Sequence, residues 1–192
     1  MASNTGRSDQ RALLLCTIDE AFDKGGWVGV TLRGAIRRVP AREASWRPRP
    51  GRHSIAEIVL HSAYWKYIVN RRITGGKRGS FPLKGSDWFA VPARLTDGQW
   101  KEYLAILDGA HRSLRETVAT APWPRLTSLR GSSRLPTAHT YGIAMHDVYH
   151  TGQIKTIRAL YRQATAGRKR KPEPATTSGR TRRTPTSPAG AC

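Results

Sequence analysis

Apolar residues recur at three- and four-residue spacing in four stretches of the chain, the period of amphipathic α-helices. The first stretch starts after Ser8 and carries Leu14, Leu15, Ile18 and Phe22. Gly25-Gly26 interrupts it, the pattern resumes with Val28, Leu32, Ile36 and Val39, and Pro40 stops it. This predicts one long helix kinked at the glycines. The second stretch opens at Ser54, where Ser54-Ile55-Ala56-Glu57 forms a capping box. Its apolar side runs through Ile55, Ile58, Val59, Ser62, Trp65 and Val69, with Gly75-Gly76 as the stop. A second capping box, Thr96 to Gln99, opens a third helix with the stripe Trp100, Tyr103, Leu104, Leu107, His111, Leu114 and Val118. The fourth is expected from about His139 to Gln163, on Tyr141, Met145, Val148, Ile154, Ile157 and Tyr161.

The connections are long. "PAREASWRPRPGRHS" has three prolines and reads as a rigid loop, and residues 75 to 95, "GGKRGSFPLKGSDWFAVPARL", form a second. A loop of that length in a compact domain is usually functional or covers something. "TAPWPRLTSLRGSSRLPTA" forms a third. Little alternates with period two and no repeat appears, so the prediction is an all-α four-helix bundle with long connecting loops.

Composition adds a boundary. From Thr165 the chain reads "TAGRKRKPEPATTSGRTRRTPTSPAGAC", with almost no large apolar side chain to offset its ordering entropy. The expected organisation is a flexible N-terminus over 1–8, the bundle over 9–164 and a disordered basic tail over 165–192. Net charge is +20, of which the tail's seven basic residues and single acid, Glu173, supply +6. Such charge attracts nucleic acid non-specifically, and 165–192 is the segment expected to make that contact, although no arginine/aromatic recognition module is visible. The two cysteines, Cys16 and Cys192, make no disulfide framework. "MASNTGRSDQR" lacks the apolar core of a signal peptide and no run of 18 apolar residues occurs, so the expectation is a cytoplasmic protein with no membrane contact.

The candidate chemistry lies in histidines. Of six, His53 and His139 sit at helix starts and read as exposed, and His111 falls on an apolar stripe and reads as a core residue. That leaves His61 on the second helix and His146 and His150 on the fourth. Positions i and i+4 are neighbours on a helix, so His146 and His150 could chelate one ion, and His61 would complete a set of three on a facing helix. Three imidazoles leave positions open for water or substrate, as in a catalytic site, and suit zinc, nickel, copper or iron alike. A plainer arrangement, one imidazole packed and the other solvated, fits the same spacing. Glu57, one turn before His61, and Gln153, near the His146/His150 face, are candidate partners that orient the rings. Trp65, Trp88 and Phe89 are candidate pocket walls.

"HDVYH" also has the His-x-x-x-His spacing of zinc metalloproteases, with Asp147 where a glutamate is usual. Aspartate is one methylene shorter and would reach a zinc-held water poorly, and no third ligand follows downstream. Asp147 is expected to face away, about 100° round the helix from His146.

"RPRPGRHSIAEIVLHSAYWKYIVNRRITG", "FPLKGSDWF" and "GIAMHDVYHTGQIKTIRAL" together resemble the DinB family of damage-inducible proteins, including its YfiT-like members. The similarity spans roughly residues 9 to 163. It implies an up-and-down helical bundle, often a homodimer, with a divalent metal, nickel or zinc, held by three histidines. Residue by residue these are His61, His146 and His150. Some relatives are transferases or isomerases that use a low-molecular-weight thiol, so the resemblance implies a metal-dependent transferase or hydrolase acting on a small molecule, with a thiol cofactor as one route. The residues themselves single out no thiol and no substrate. The alternative is a non-catalytic stress-response metal-binding protein whose basic tail contacts nucleic acid.

Overall fold

A computed structural model of the chain describes residues 4–127 and 136–169. Among them there are helices and no strands. The first helix, α1 (Asn4–Asp19), begins five residues before the expected start. It widens into a π-helical segment, Glu20–Lys24, in which Phe22 is buried. The expected kinked continuation does not form. Two adjacent glycines, each about 1 kcal/mol less favourable than alanine in a helix, let the chain leave the helix instead of bending within it. Gly25 takes the left-handed φ of 76°. The loop that follows carries Trp27 and Val28 into solvent, so Val28 is 66% exposed where it was expected on the apolar stripe. Helicity resumes only at α2 (Leu32–Ile36), where the Thr31 hydroxyl accepts from the Gly34 N–H at 3.0 Å. Pro40 does not simply end this stretch: it is the N-cap of α3 (Ala41–Ala44), a short helix inside the first expected loop.

The two capping boxes form as read. At α4 (Ile55–Thr74) the Glu57 N–H donates to the Ser54 hydroxyl at 3.3 Å and the Ser54 N–H donates to Glu57 Oε2 at 2.7 Å. Gly75 closes α4 in the left-handed conformation, φ 75°. At α5 (Asp97–Thr120) Thr96 and Gln99 make the same exchange. A short α6 (Trp123–Thr127) sits in the third expected loop. The last helix, α7 (Pro136–Lys169), is longer at both ends than expected and runs five residues into the segment read as tail. The rest of that segment, from 170, lies outside the described residues. The long helices α1, α4, α5 and α7 make up the bundle, with α4 packed chiefly on α5 and then on α7.

Two apolar clusters fill the interior. One gathers Phe22, Ile58, Val59, Leu107, Ile154 and Ile157. The other gathers Ile18, Val69, Ile73, Leu114, Val118 and Ile143. Along α4, α5 and α7 the stretches feeding the two clusters are separated by buried polar residues: Lys66, His111, Asp147 and His150. The bundle therefore has a polar middle layer. The stripe expected for α7 was partly misplaced, since Tyr141 and Met145 are exposed while Ile143, Ala144, Asp147 and His150 are buried. Side chains at 143, 147, 150 and 154 share one face at helical spacing, and that face is not uniformly apolar. No helix among the described residues is long and apolar enough to cross a membrane.

Candidate metal centre

His61 comes from the middle of α4, and His146 and His150 come from successive turns of α7. His61 Nε2 lies 3.1 Å from His146 Nε2, and His150 Nε2 lies 3.0 Å from the same atom. One ligand atom from each of the three histidines falls within 4.8 Å of the others. Bonds of about 2.0–2.1 Å to one ion, at angles between roughly 90° and 110°, place pairs of nitrogens about 2.9–3.4 Å apart. The two short separations fall in that range.

Two of the rings are held at their far nitrogen. His61 Nδ1–H donates to the Asp87 carbonyl at 3.1 Å and faces the Asp87 carboxylate at the same distance. His150 Nδ1–H donates to Gln153 Oε1 at 2.6 Å, and Gln153 Nε2 donates in turn to the Tyr149 hydroxyl at 3.0 Å. A neutral imidazole with its proton on Nδ1 has a free lone pair on Nε2. Both lone pairs thus point into the cluster, where only a proton or a cation relieves their mutual repulsion. His146 Nδ1 is buried with no hydrogen-bond partner among the described residues. Burial is the main cause that lowers the proton affinity of all three rings. It carries His146 down to about 3, with His150 and His61 adding to the effect. His150 falls to about 4 despite the opposing hydrogen bond to Gln153. His61 is lowered too, against the opposing pull of the Asp87 carbonyl. All three are neutral at pH 7, the state in which imidazole binds metal.

The long loop after α4 supplies the wall. Asp87 adopts φ 61°, a left-handed conformation uncommon for a residue with a side chain. Its carboxylate accepts from Trp65 Nε1 at 2.8 Å while its backbone meets His61. The next residue, Trp88, stacks on His61 with centroids 3.9 Å apart and an interplanar angle of 10°. Trp88 also stacks on His53 at 3.5 Å and meets the His150 ring edge-on at 6.3 Å.

The DinB superfamily profile matches residues 27–154, two-thirds of the chain and all three histidines. The chain belongs to the DinB superfamily. No curated protein and no solved structure gives a match to it. The matched segment is narrower than the resemblance read from the sequence and leaves out α1 of this DinB chain.

Of the residues expected around the site, Trp65 and Gln153 are there and Glu57 is not. Both Glu57 oxygens are engaged elsewhere, Oε2 by the Ser54 N–H and Oε1 by Arg47 at 2.8 Å. Burial alone would push that carboxyl up, but these hydrogen bonds hold it below its ordinary value. Trp88 is a wall, whereas Phe89 is buried in the core against Tyr64 and Phe81. His53 is exposed, as expected. His139 is half-buried instead, with its Nε2 3.0 Å from Arg72. His111 is a core residue, stacked on Phe22 at 3.7 Å. Cys16 is exposed and donates to Glu20.

Sequence reading missed the DinB chain's buried ion pair. Lys66 and Asp147, each 1% exposed, bond to one another between α4 and α7. Asp147 does turn away from the histidines, but toward a lysine. Burial pushes its carboxyl up and Lys66 opposes that shift. Lys66 Nζ also lies 5.2 Å over the Phe22 ring. A signal was present: Lys66 occupies the register of Ser62 and Val69, and Asp147 that of Ile143 and His150. Opposite charges on the buried registers of two facing helices imply a pair.

Proposed function

We propose that His61, His146 and His150 hold a divalent metal ion, nickel or zinc, and that the chain is a metal-dependent transferase or hydrolase acting on a small molecule. The observation that supports this reading is the meeting of three Nε2 atoms from two helices, with the Nδ1 protons of His61 and His150 tied down by Asp87 and Gln153. Three protein ligands leave coordination positions for substrate. Such an ion, when bound, supplies Lewis-acid activation of a water or a thiol by lowering its pKa.

The surrounding residues orient and exclude. Gln153 fixes the plane of the His150 ring, and Asp87 does the same for His61. Trp88 shields one face of His61 from water. Beside Gln153 and Tyr149 lies a mainly apolar cleft of about 600 Å³, with Arg49 and Arg52 among its lining residues. That volume suits the organic part of a small substrate. The low-molecular-weight thiol implied by family resemblance is one nucleophile consistent with this reading.

The test is metal-dependent turnover. The protein is stripped with a chelator, reloaded with nickel or zinc, and assayed with a panel of low-molecular-weight thiols against electrophiles and with hydrolysable esters. Turnover is expected from reloaded protein, and not from stripped protein or from His150→Ala. Turnover that is absent under every pairing, or indifferent to metal, removes the catalytic reading and leaves a non-catalytic metal binder.

A further inference from the structure

A second concave site lies elsewhere in the bundle, lined by none of the three histidines. It is a cleft of about 880 Å³ between the π segment and α2 on one side and α5 and α7 on the other. Six of its lining side chains are cations. Two of these are neutralised locally. Arg33 pairs with Asp108, and Arg158 donates to Glu43 Oε1 at 3.0 Å and to the Ala35 carbonyl at 2.8 Å. The remaining four, Arg37, Arg38, Lys101 and Lys155, have no ion pair and no side-chain hydrogen bond among the described residues. Against them stands one unpaired carboxylate in the lining, Asp23.

The backbone contributes to this crowding of charge. Arg38 has φ 58°, left-handed and unfavourable for a residue with a Cβ. The chain turns sharply out of α2 there, and consecutive arginines both line the cleft. Like charges gathered in a concave site repel one another unless an anion joins them, and concave walls focus the field. Nucleic-acid surfaces usually spread their cations along a stripe or groove. Here they surround a cavity of the size that takes small molecules. Four free cations against one carboxylate match a ligand with several negative charges close together.

We propose that this cleft binds a polyphosphate group, free or as part of a nucleoside triphosphate, through Arg37, Arg38, Lys101 and Lys155. The planar guanidinium forks of the two arginines suit phosphate oxygens, and the lysines add point charges. The site is separate from the histidine cluster, so it stands or falls independently of the metal.

The test is calorimetric titration of the full chain with inorganic triphosphate in about 0.15 M salt, where long-range surface attraction is screened. The unsubstituted protein should bind saturably with a stoichiometry of about one. The double variant R37Q/K155Q removes two solvent-facing charges and should weaken binding at least about tenfold. A charge-matched pair in the basic tail, R180Q/R183Q, should change it by less than about twofold. Metal content and helical circular dichroism should be unchanged in both. A nucleoside triphosphate run alongside shows which form binds more tightly, and tight binding of either supports the site. No saturable binding, equal losses from the two pairs, or an oligonucleotide that binds R37Q/K155Q as well as the unsubstituted protein and is not displaced by triphosphate would each overturn it.

Discussion

Gln153 uses both ends of its amide: the oxygen takes the His150 proton and the nitrogen reaches the Tyr149 hydroxyl. Its role was legible from helical pitch, because residue 153 follows His150 by one turn. Glu57, one turn before His61, was a candidate by the same helical pitch, and it fails because a capping box and Arg47 claim its carboxylate. Spacing gives adjacency but not which hydrogen bond a side chain prefers. Asp87 was beyond reach of the sequence, since its role depends on a left-handed backbone in the middle of a long loop. A matched pair of variants separates these cases. Gln153→Leu should weaken divalent-metal affinity about 10–100-fold, the usual range for losing a group that orients a ligand. Glu57→Gln should leave that affinity unchanged while lowering the melting temperature. Competition against a chromophoric chelator measures both, and equal effects would refute the distinction.

At the scale of elements, the capped helices α4 and α5 were legible to within a residue at their starts because local chemistry fixes those ends. The first helix was not, since Gly25 can continue a bend or leave the helix, and only packing decides. The α7 face was misread for a physical reason: its buried register contains Asp147, which hydropathy assigns to solvent. Asp147 holds α7 to Lys66 on α4, one residue from His146. Removing one partner of a buried pair leaves a stranded charge, so Asp147→Leu should destabilise the protein by about 3–5 kcal/mol in urea unfolding. The double variant K66M/D147L should recover most of that loss, and a double variant as unstable as the single would contradict a pairing role. His111 on α5 belongs to the same layer. Burial, with Lys66 and Arg115 nearby, pushes it from the ordinary 6.5 down to about 3. The unfolded chain therefore takes up that proton first. Its contribution to stability is complete above pH 6.5 and is lost as pH falls toward 3, at about 1.4 kcal/mol per pH unit. Unfolding free energies measured across that window should fall less steeply for His111→Gln than for the unsubstituted protein. Parallel curves would show that His111 stays uncoupled from the proton.

Across the whole molecule, two apolar clusters close the bundle around a polar layer, and the histidine cluster takes one residue from α4 and two from α7. The fold class and the pair His146/His150 could be read from sequence because helical periodicity and the i, i+4 spacing are local, whereas His61 followed from elimination among the six histidines and from the DinB resemblance. That the rings at 61, 146 and 150 meet is a property of how α4 lies on α7, which no local pattern contains. The central claim is this meeting as a metal site. It is tested most directly by counting metal ions, by mass spectrometry, in the full chain purified after exposure to nickel or zinc, with His61→Ala treated alongside. About one ion per chain is expected in the unsubstituted protein and no more than roughly a tenth of that in His61→Ala, with helical content equal in the two. Protein that takes up no ion, or a His61→Ala variant that retains it fully, would contradict the account.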